Sequence, residues 1–319
     1  MHIIELSEIR SLVDLGDTIE VMRQALLAQA RGECEIPSPM HIDTEPTRGE
    51  VHIKAAGRRG AAYFAVKVAS GFPDNAAQGL PTGNGLMMLF SAQTGRAEAL
   101  LLDEGYLTDV RTAAVTAMMT RELGRRDRTL GVLGTGIQAR MQIDLHREVL
   151  DLERVWIWGR TRRHLETCVA ELRKRHRDVA IETAESPRRV AEESRLIVTV
   201  TASRDPLLTP DAIRPGTLIA AVGSDSPGKQ ELDPAILDRA ELLIVDSRAQ
   251  CERLGELQHA LGNAERSIEA GEYCESPVEP AAEAVVVCDY TGLGVEDLFM
   301  AEAIYDRARA RIGDRKDER

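Results

Sequence analysis

Leu130-Gly131-Val132-Leu133-Gly134-Thr135-Gly136-Ile137-Gln138-Ala139 is the most telling stretch of the sequence. An apolar run at Thr129–Leu133 leads into a glycine turn, and a helical stretch opens behind it. The form is G-x-G-x-x-A. Gly134 permits the tight turn and Gly136 lets the backbone approach a pyrophosphate. Ala139 lets helix and sheet pack closely, and the helix N-terminus offers free N–H donors. Such a turn alone is also found without a ligand. Here a second apolar run, Arg154–Trp158, follows at the spacing a dinucleotide-binding unit needs. That run ends in Trp158-Gly159-Arg160-Thr161-Arg162-Arg163, with no acid to meet a ribose 2′-hydroxyl. Arg160 and Thr161 suit a 2′-phosphate, which favours NADP(H) and keeps NAD(H) as the alternative. The other account of these residues is a solvated basic helix start.

Outward from this motif, further apolar runs at 196–201, 217–222, 242–246 and 284–288 alternate with helical stretches. That alternation predicts a parallel α/β sheet. Residues 126–298 therefore form one expected domain, and 1–125 another of different character. The first domain opens helix-rich, with Ile19, Met22, Ala25, Leu26 and Ala30 at helical spacing. Pro37, Pro39 and Pro46 then interrupt it. Strand-like pieces follow at 51–55 and 61–70, then a hairpin of 86–90 with Ala97–Leu102, and an alanine-rich helix from Thr108 to about Leu123.

The bulk numbers agree with a two-domain globular chain. It has 319 residues, 43% hydrophobic and 29% charged. No apolar run reaches the ~18 residues of a membrane helix, and the N-terminus lacks the pattern of a secretory signal. A formal net charge of -12 argues against a nucleic-acid binder, and 3% aromatic residues argue against base-stacking platforms. The five cysteines, Cys34, Cys168, Cys251, Cys274 and Cys288, have neither zinc nor redox spacing, so a reduced, cytoplasmic chain is expected. The histidines form no ligand spacing, and no metal is expected.

Two cations and an acid are candidates for chemistry. Lys67 sits in an apolar strand between small face-mates, Ala65 and Ala69. It either meets an anion, since a buried unpaired lysine is costly, or extends its head to water. Arg111 lies near the start of the alanine-rich helix, where a cation opposes the helix dipole. A ligand carboxylate offsets that, or else a pair with Asp103, Glu104 or Asp109. Asp225 follows an apolar run, in Gly223-Ser224-Asp225-Ser226-Pro227-Gly228-Lys229. Ligands of open parallel sheets bind beyond the carboxyl ends of strands, so Asp225 is placed to exchange a proton with a substrate nitrogen. The alternative is that it only shapes a turn. Lys229 is either a phosphate or ribose contact or a solvent-exposed lysine.

In order and spacing, six segments resemble the ornithine cyclodeaminase/mu-crystallin family. They are Lys67-Val68-Ala69-Ser70-Gly71-Phe72-Pro73, Gly79-Leu80-Pro81-Thr82, Leu107-Thr108-Asp109-Val110-Arg111-Thr112-Ala113-Ala114, the glycine turn, the Asp225 segment, and Asp289-Tyr290-Thr291-Gly292. Within the family, Leu102-Asp103-Glu104-Gly105-Tyr106-Leu107-Thr108-Asp109 and Arg253-Leu254-Gly255-Glu256-Leu257 are most similar to cyclodeaminase-like proteins of ectoine utilisation. The resemblance implies a homodimer. It implies a Rossmann-type dinucleotide-binding domain and a smaller α+β substrate and dimerisation domain, completed by about residues 299–319. It implies that Lys67 and Arg111 hold a substrate carboxylate, with Asp225 near the reacting nitrogen. Thr82, Arg111, Ile137, Gln138, Thr201, Val222, Lys229 and Thr291 then fall where the family touches the dinucleotide. Two departures stand out. Pro39 takes the place of an arginine that serves as a third carboxylate ligand. His52 takes the place of a glutamate that meets a distal amine, with Lys54 one strand period on. A cationic Lys54 disfavours a diamine and favours an acidic group.

The expected activity is hydride transfer between a nicotinamide and the Cα of an amino or imino acid, as in an imine reductase or amino-acid dehydrogenase. The runner-up is a cyclodeaminase, an ammonia-lyase with internally recycled cofactor. A small-ligand or NADPH-binding protein with little catalysis is the third.

Overall fold

The computed structural model describes residues 1–47 and 49–317. The chain divides into two compact units. One is Met1–Arg111 with Leu293–Arg319, and the other is Thr112–Gly292.

The first unit carries a seven-stranded sheet: β1 (His2–Glu5), β2 (Cys34–Glu35), β3 (Met40–Thr44), β4 (Gly49–Arg58), β5 (Tyr63–Gly71), β6 (Gly83–Ser91) and β7 (Ala97–Leu102). The order is β1-β7-β6-β5-β4-β2, and β3 pairs with β4 as well. Only β1 with β7 is parallel. The expected hairpin is β6 with β7. The helix-rich start is present as Leu6–Leu12 and Leu15–Ala30, but β1 precedes it. With four residues and one buried side chain, Ile4, that strand is too short to show an alternation.

The two faces of this sheet differ. Ala56, Ala65, Lys67, Met87, Leu89 and Leu101 are buried on one face, where successive side chains of each strand point the same way two residues apart. The C-terminal helix Gly294–Asp317 packs on β4, β5 and β6 and on the helix Leu15–Ala30. The opposite face carries Val51, Ile53, Val66, Val68, Leu86 and Met88, all only half-buried.

The second unit is an eight-stranded sheet: β8 (Thr129–Leu133), β9 (Arg154–Trp158), β10 (Ala180–Thr183), β11 (Leu196–Thr199), β12 (Leu218–Ala221), β13 (Leu242–Val245), β14 (Ile268–Glu269) and β15 (Val286–Asp289). The order is β10-β9-β8-β11-β12-β15-β13-β14, with every pairing parallel. This is the Rossmann-type α/β architecture, with strand order reversing about β8 and β11. Its central strands are buried from end to end, which is why they read as continuous apolar runs. Ile197, Ile219, Leu243 and Val287 join one core with Val190 and Leu237. Each such side chain contributes about 1.5–3 kcal/mol over its exposed state. Among the described residues no helix is long and apolar enough to cross a membrane.

Candidate functional site

Lys67 is 2% exposed. Its ammonium lies 2.8 Å from Asp297 Oδ1 and 2.7 Å from Oδ2. Arg111, 4% exposed, pairs through Nη1 with Glu296 Oε2 at 2.6 Å and through Nε with Asp297 Oδ1 at 3.2 Å. Both acids stand in the first turn of the C-terminal helix, where negative charge suits the dipole. The partners expected for Arg111 from the sequence, Asp103, Glu104 or Asp109, do not include Glu296 and Asp297, which lie 185 and more residues away. Burial lowers Lys67 to about 7; Arg111 and Lys54 add to that shift, and Asp297 opposes it. Asp297 stays below the ordinary carboxylate range despite burial, because Lys67 and Arg111 face it. Burial raises Asp103, against the N–H of Leu107 donated to it at 2.9 Å.

Lys54 is directly opposite Lys67 in the β4–β5 register, and His52 is opposite Ala69. Cross-strand partners share a face. The four therefore share a face, Lys67 buried and the other three half-buried, and exposed His41, opposite His52 in β3, extends the His52–Ala69 row with its Nδ1 3.5 Å from Nδ1 of His52.

In the second unit the glycine turn has the geometry a dinucleotide requires. Gly134 has φ 139, and a Cβ there would come within 2.7 Å of Val200. Gly136 precedes the helix Ile137–His146, and a Cβ built on it meets nothing within 4 Å. That open space at the helix N-terminus fits a pyrophosphate. A cavity of about 270 Å³ adjoins the turn and is lined by Gly134, Gly136, Arg160, Thr161 and Thr201, among others. Ile137 is half exposed at the start of the helix, and Gln138 follows it. Val222 is buried just beyond β12. Thr291 is buried too, and its hydroxyl meets Asp246 and Gln250. Thr82 belongs to the first unit, exposed on the loop ahead of β6.

Asp225 lies in the loop after β12, its side chain 46% exposed. Lys229 Nζ reaches Asp225 Oδ1 at 2.7 Å, and the Ser226 hydroxyl reaches the same oxygen at 3.1 Å. Both partners belong to the same loop, which lies beyond the carboxyl end of β12.

The model of the ornithine cyclodeaminase/mu-crystallin family matches residues 2–311. The chain belongs to that family. It is 35% identical to an uncharacterised cyclodeaminase of Sinorhizobium fredii, over 98% of this chain and 97% of that protein. Among solved structures of the family's fold it is similar to the Δ1-pyrroline-2-carboxylate reductase of Thermococcus litoralis, in complex with NADH and L-proline. The TM-score there is 0.90, with 25% identity and 98% of each chain covered. It is also similar to the iminosuccinate reductase of Paracoccus denitrificans in complex with NAD+, with a TM-score of 0.85, 28% identity, and 98% of this chain and 97% of that one covered.

Proposed function

We propose that this family member is an NAD(P)-dependent oxidoreductase acting at the Cα of an amino or imino acid. The observation that carries the proposal is the buried pair of cations, Lys67 and Arg111, in a chain with a dinucleotide turn. Their role is to hold the substrate carboxylate by charge-assisted bonds, strengthened by exclusion of water. Asp225 gives a proton to, or takes one from, the substrate nitrogen. Lys54 and His52 face the rest of the substrate, and a cationic Lys54 selects an acidic or neutral group over an amine. Gly134, Gly136, Ile137 and Gln138 hold the dinucleotide phosphates, and Thr201, Val222, Lys229 and Thr291 line the remainder of its path. A nicotinamide dinucleotide held there supplies or accepts the two electrons at Cα.

Arg160 and Thr161, with no acid in the turn Trp158–Arg163, support NADP(H) as the preferred cofactor. Catalytic efficiency with NADPH against NADH measures this, and a strong NADH preference overturns it. The half-buried apolar face of the first unit supports a homodimer. The five free thiols agree with a cytoplasmic protein.

The deciding assay offers a panel of cyclic and acyclic imino acids, acidic ones included, and follows NAD(P)H absorbance. Net oxidation of NAD(P)H is expected. A second reading is favoured by the Sinorhizobium relative, named an uncharacterised cyclodeaminase. Ammonia release without net change in NAD(P)H supports that one instead.

A further inference from the structure

Glu231 is fully buried, and the chemistry above leaves it without a task. Its carboxylate accepts four hydrogen bonds. Oε2 takes the Thr199 hydroxyl at 2.6 Å and the Gly223 N–H at 2.9 Å. Oε1 takes the Thr201 N–H at 2.6 Å and the Thr201 hydroxyl at 2.7 Å. A carboxylate offers about four lone-pair positions, so each is used.

The donors come from two loops. Thr199 ends β11, and Thr201 lines the dinucleotide cavity behind it. Gly223 opens the loop after β12, two residues ahead of Asp225. A Cβ on Gly223 would collide with the Thr201 carbonyl oxygen and lie 2.6 Å from the Glu231 carboxyl carbon. The two loops are therefore in contact, with the acid fastened to both. The acid is itself held. Glu256 accepts the N–H of Glu231 at 2.7 Å and of Leu232 at 3.1 Å. Asp289 in turn accepts the N–H of Glu256 at 3.0 Å and of Leu257 at 2.9 Å. Burial pushes Glu231 and Asp289 up to about 7 and Glu256 to about 9, with these donors opposing the rise.

We propose that Glu231 is a positioning residue, a clamp that ties the Thr201 wall of the dinucleotide cavity to the backbone presenting Asp225. Glu256 and Asp289 brace the clamp from behind. The inference deepens the function proposed above and rests on it for the role of Asp225. A loop released by losing the clamp drifts, and a misplacement of about 1 Å costs on the order of a hundredfold in rate.

The test uses the full chain, with NADH binding read by fluorescence titration and turnover read separately. Glu231→Gln keeps the shape but turns an amide toward Thr199 or Gly223. Its kcat is expected to fall about 10- to 100-fold, and its NADH affinity several-fold, while KM for the imino acid hardly moves. Added to Asp225→Asn, Glu231→Gln is expected to cost nothing further, because residues acting as one unit are not additive. An equal loss in both backgrounds, or unchanged kcat and NADH affinity, overturns the clamp. If Asp225→Asn alone leaves turnover intact, it is the role of Asp225 that fails, and the NADH titration still decides on Glu231. Thr199→Val removes one donor at constant shape. It carries the same comparison should Glu231→Gln fail to fold.

Discussion

Lys67 is a cation whose charge at neutral pH is set by what surrounds it. Burial brings it to about 7, so it is protonated below that pH and neutral above it. Binding a carboxylate needs the protonated form. The expected outcome is that kcat/KM, which reports the free enzyme, declines as pH rises through about 7. In Lys67→Arg the alkaline decline disappears, because a guanidinium stays charged. A profile without that decline in the parent protein removes Lys67 from carboxylate binding. Lys67→Met is a harsher change. It strips Asp297 of one partner, and breaking a buried pair costs about 3–5 kcal/mol, read by urea unfolding, on top of a raised KM. Lys67 was legible in the sequence because a lone lysine interrupts an apolar alternation. Its acids were not. Negative charge at a helix start needs no partner to explain it, so Glu296 and Asp297 carried no signal of their own.

At the level of elements, the glycine turn was readable because sterics leave few residues able to make it. Gly134→Ala is expected to destabilise by about 1–3 kcal/mol and to abolish NADH binding, since both its φ and its approach to Val200 forbid a side chain. Thermal unfolding and a fluorescence titration check the two halves of this statement. The central strands of the second unit were legible for a similar reason, as burial on both sides leaves an unbroken apolar run. The edge strands were missed: β10 buries one side chain in four and so shows no apolar run, and β14 has only two residues. Alternation in β5 showed two faces but not which one is inside. The face with Ala65 and Lys67 is the buried one, because the small residues admit the C-terminal helix and its acids. Bulkier Phe64, Val66 and Val68 take the other side.

For the whole molecule, that other side predicts association. Half-buried Val51, Ile53, Val66 and Val68 form an apolar strip on one sheet face. Sedimentation is expected to give the mass of two chains, and Val66→Lys to shift it to one; a monomeric parent protein removes the homodimer. The C-terminal helix belongs to the first unit although the entire second unit separates the two in sequence. This has a consequence for biosynthesis. While a ribosome is still translating residues 112–292, Lys67 and Arg111 have already been made and their counter-charges have not. The early sheet must wait, incomplete, until Glu296 and Asp297 are made. A message cut short near Gly292 therefore yields a product whose front half is a client for chaperones and proteases, even where its nucleotide-binding half has folded.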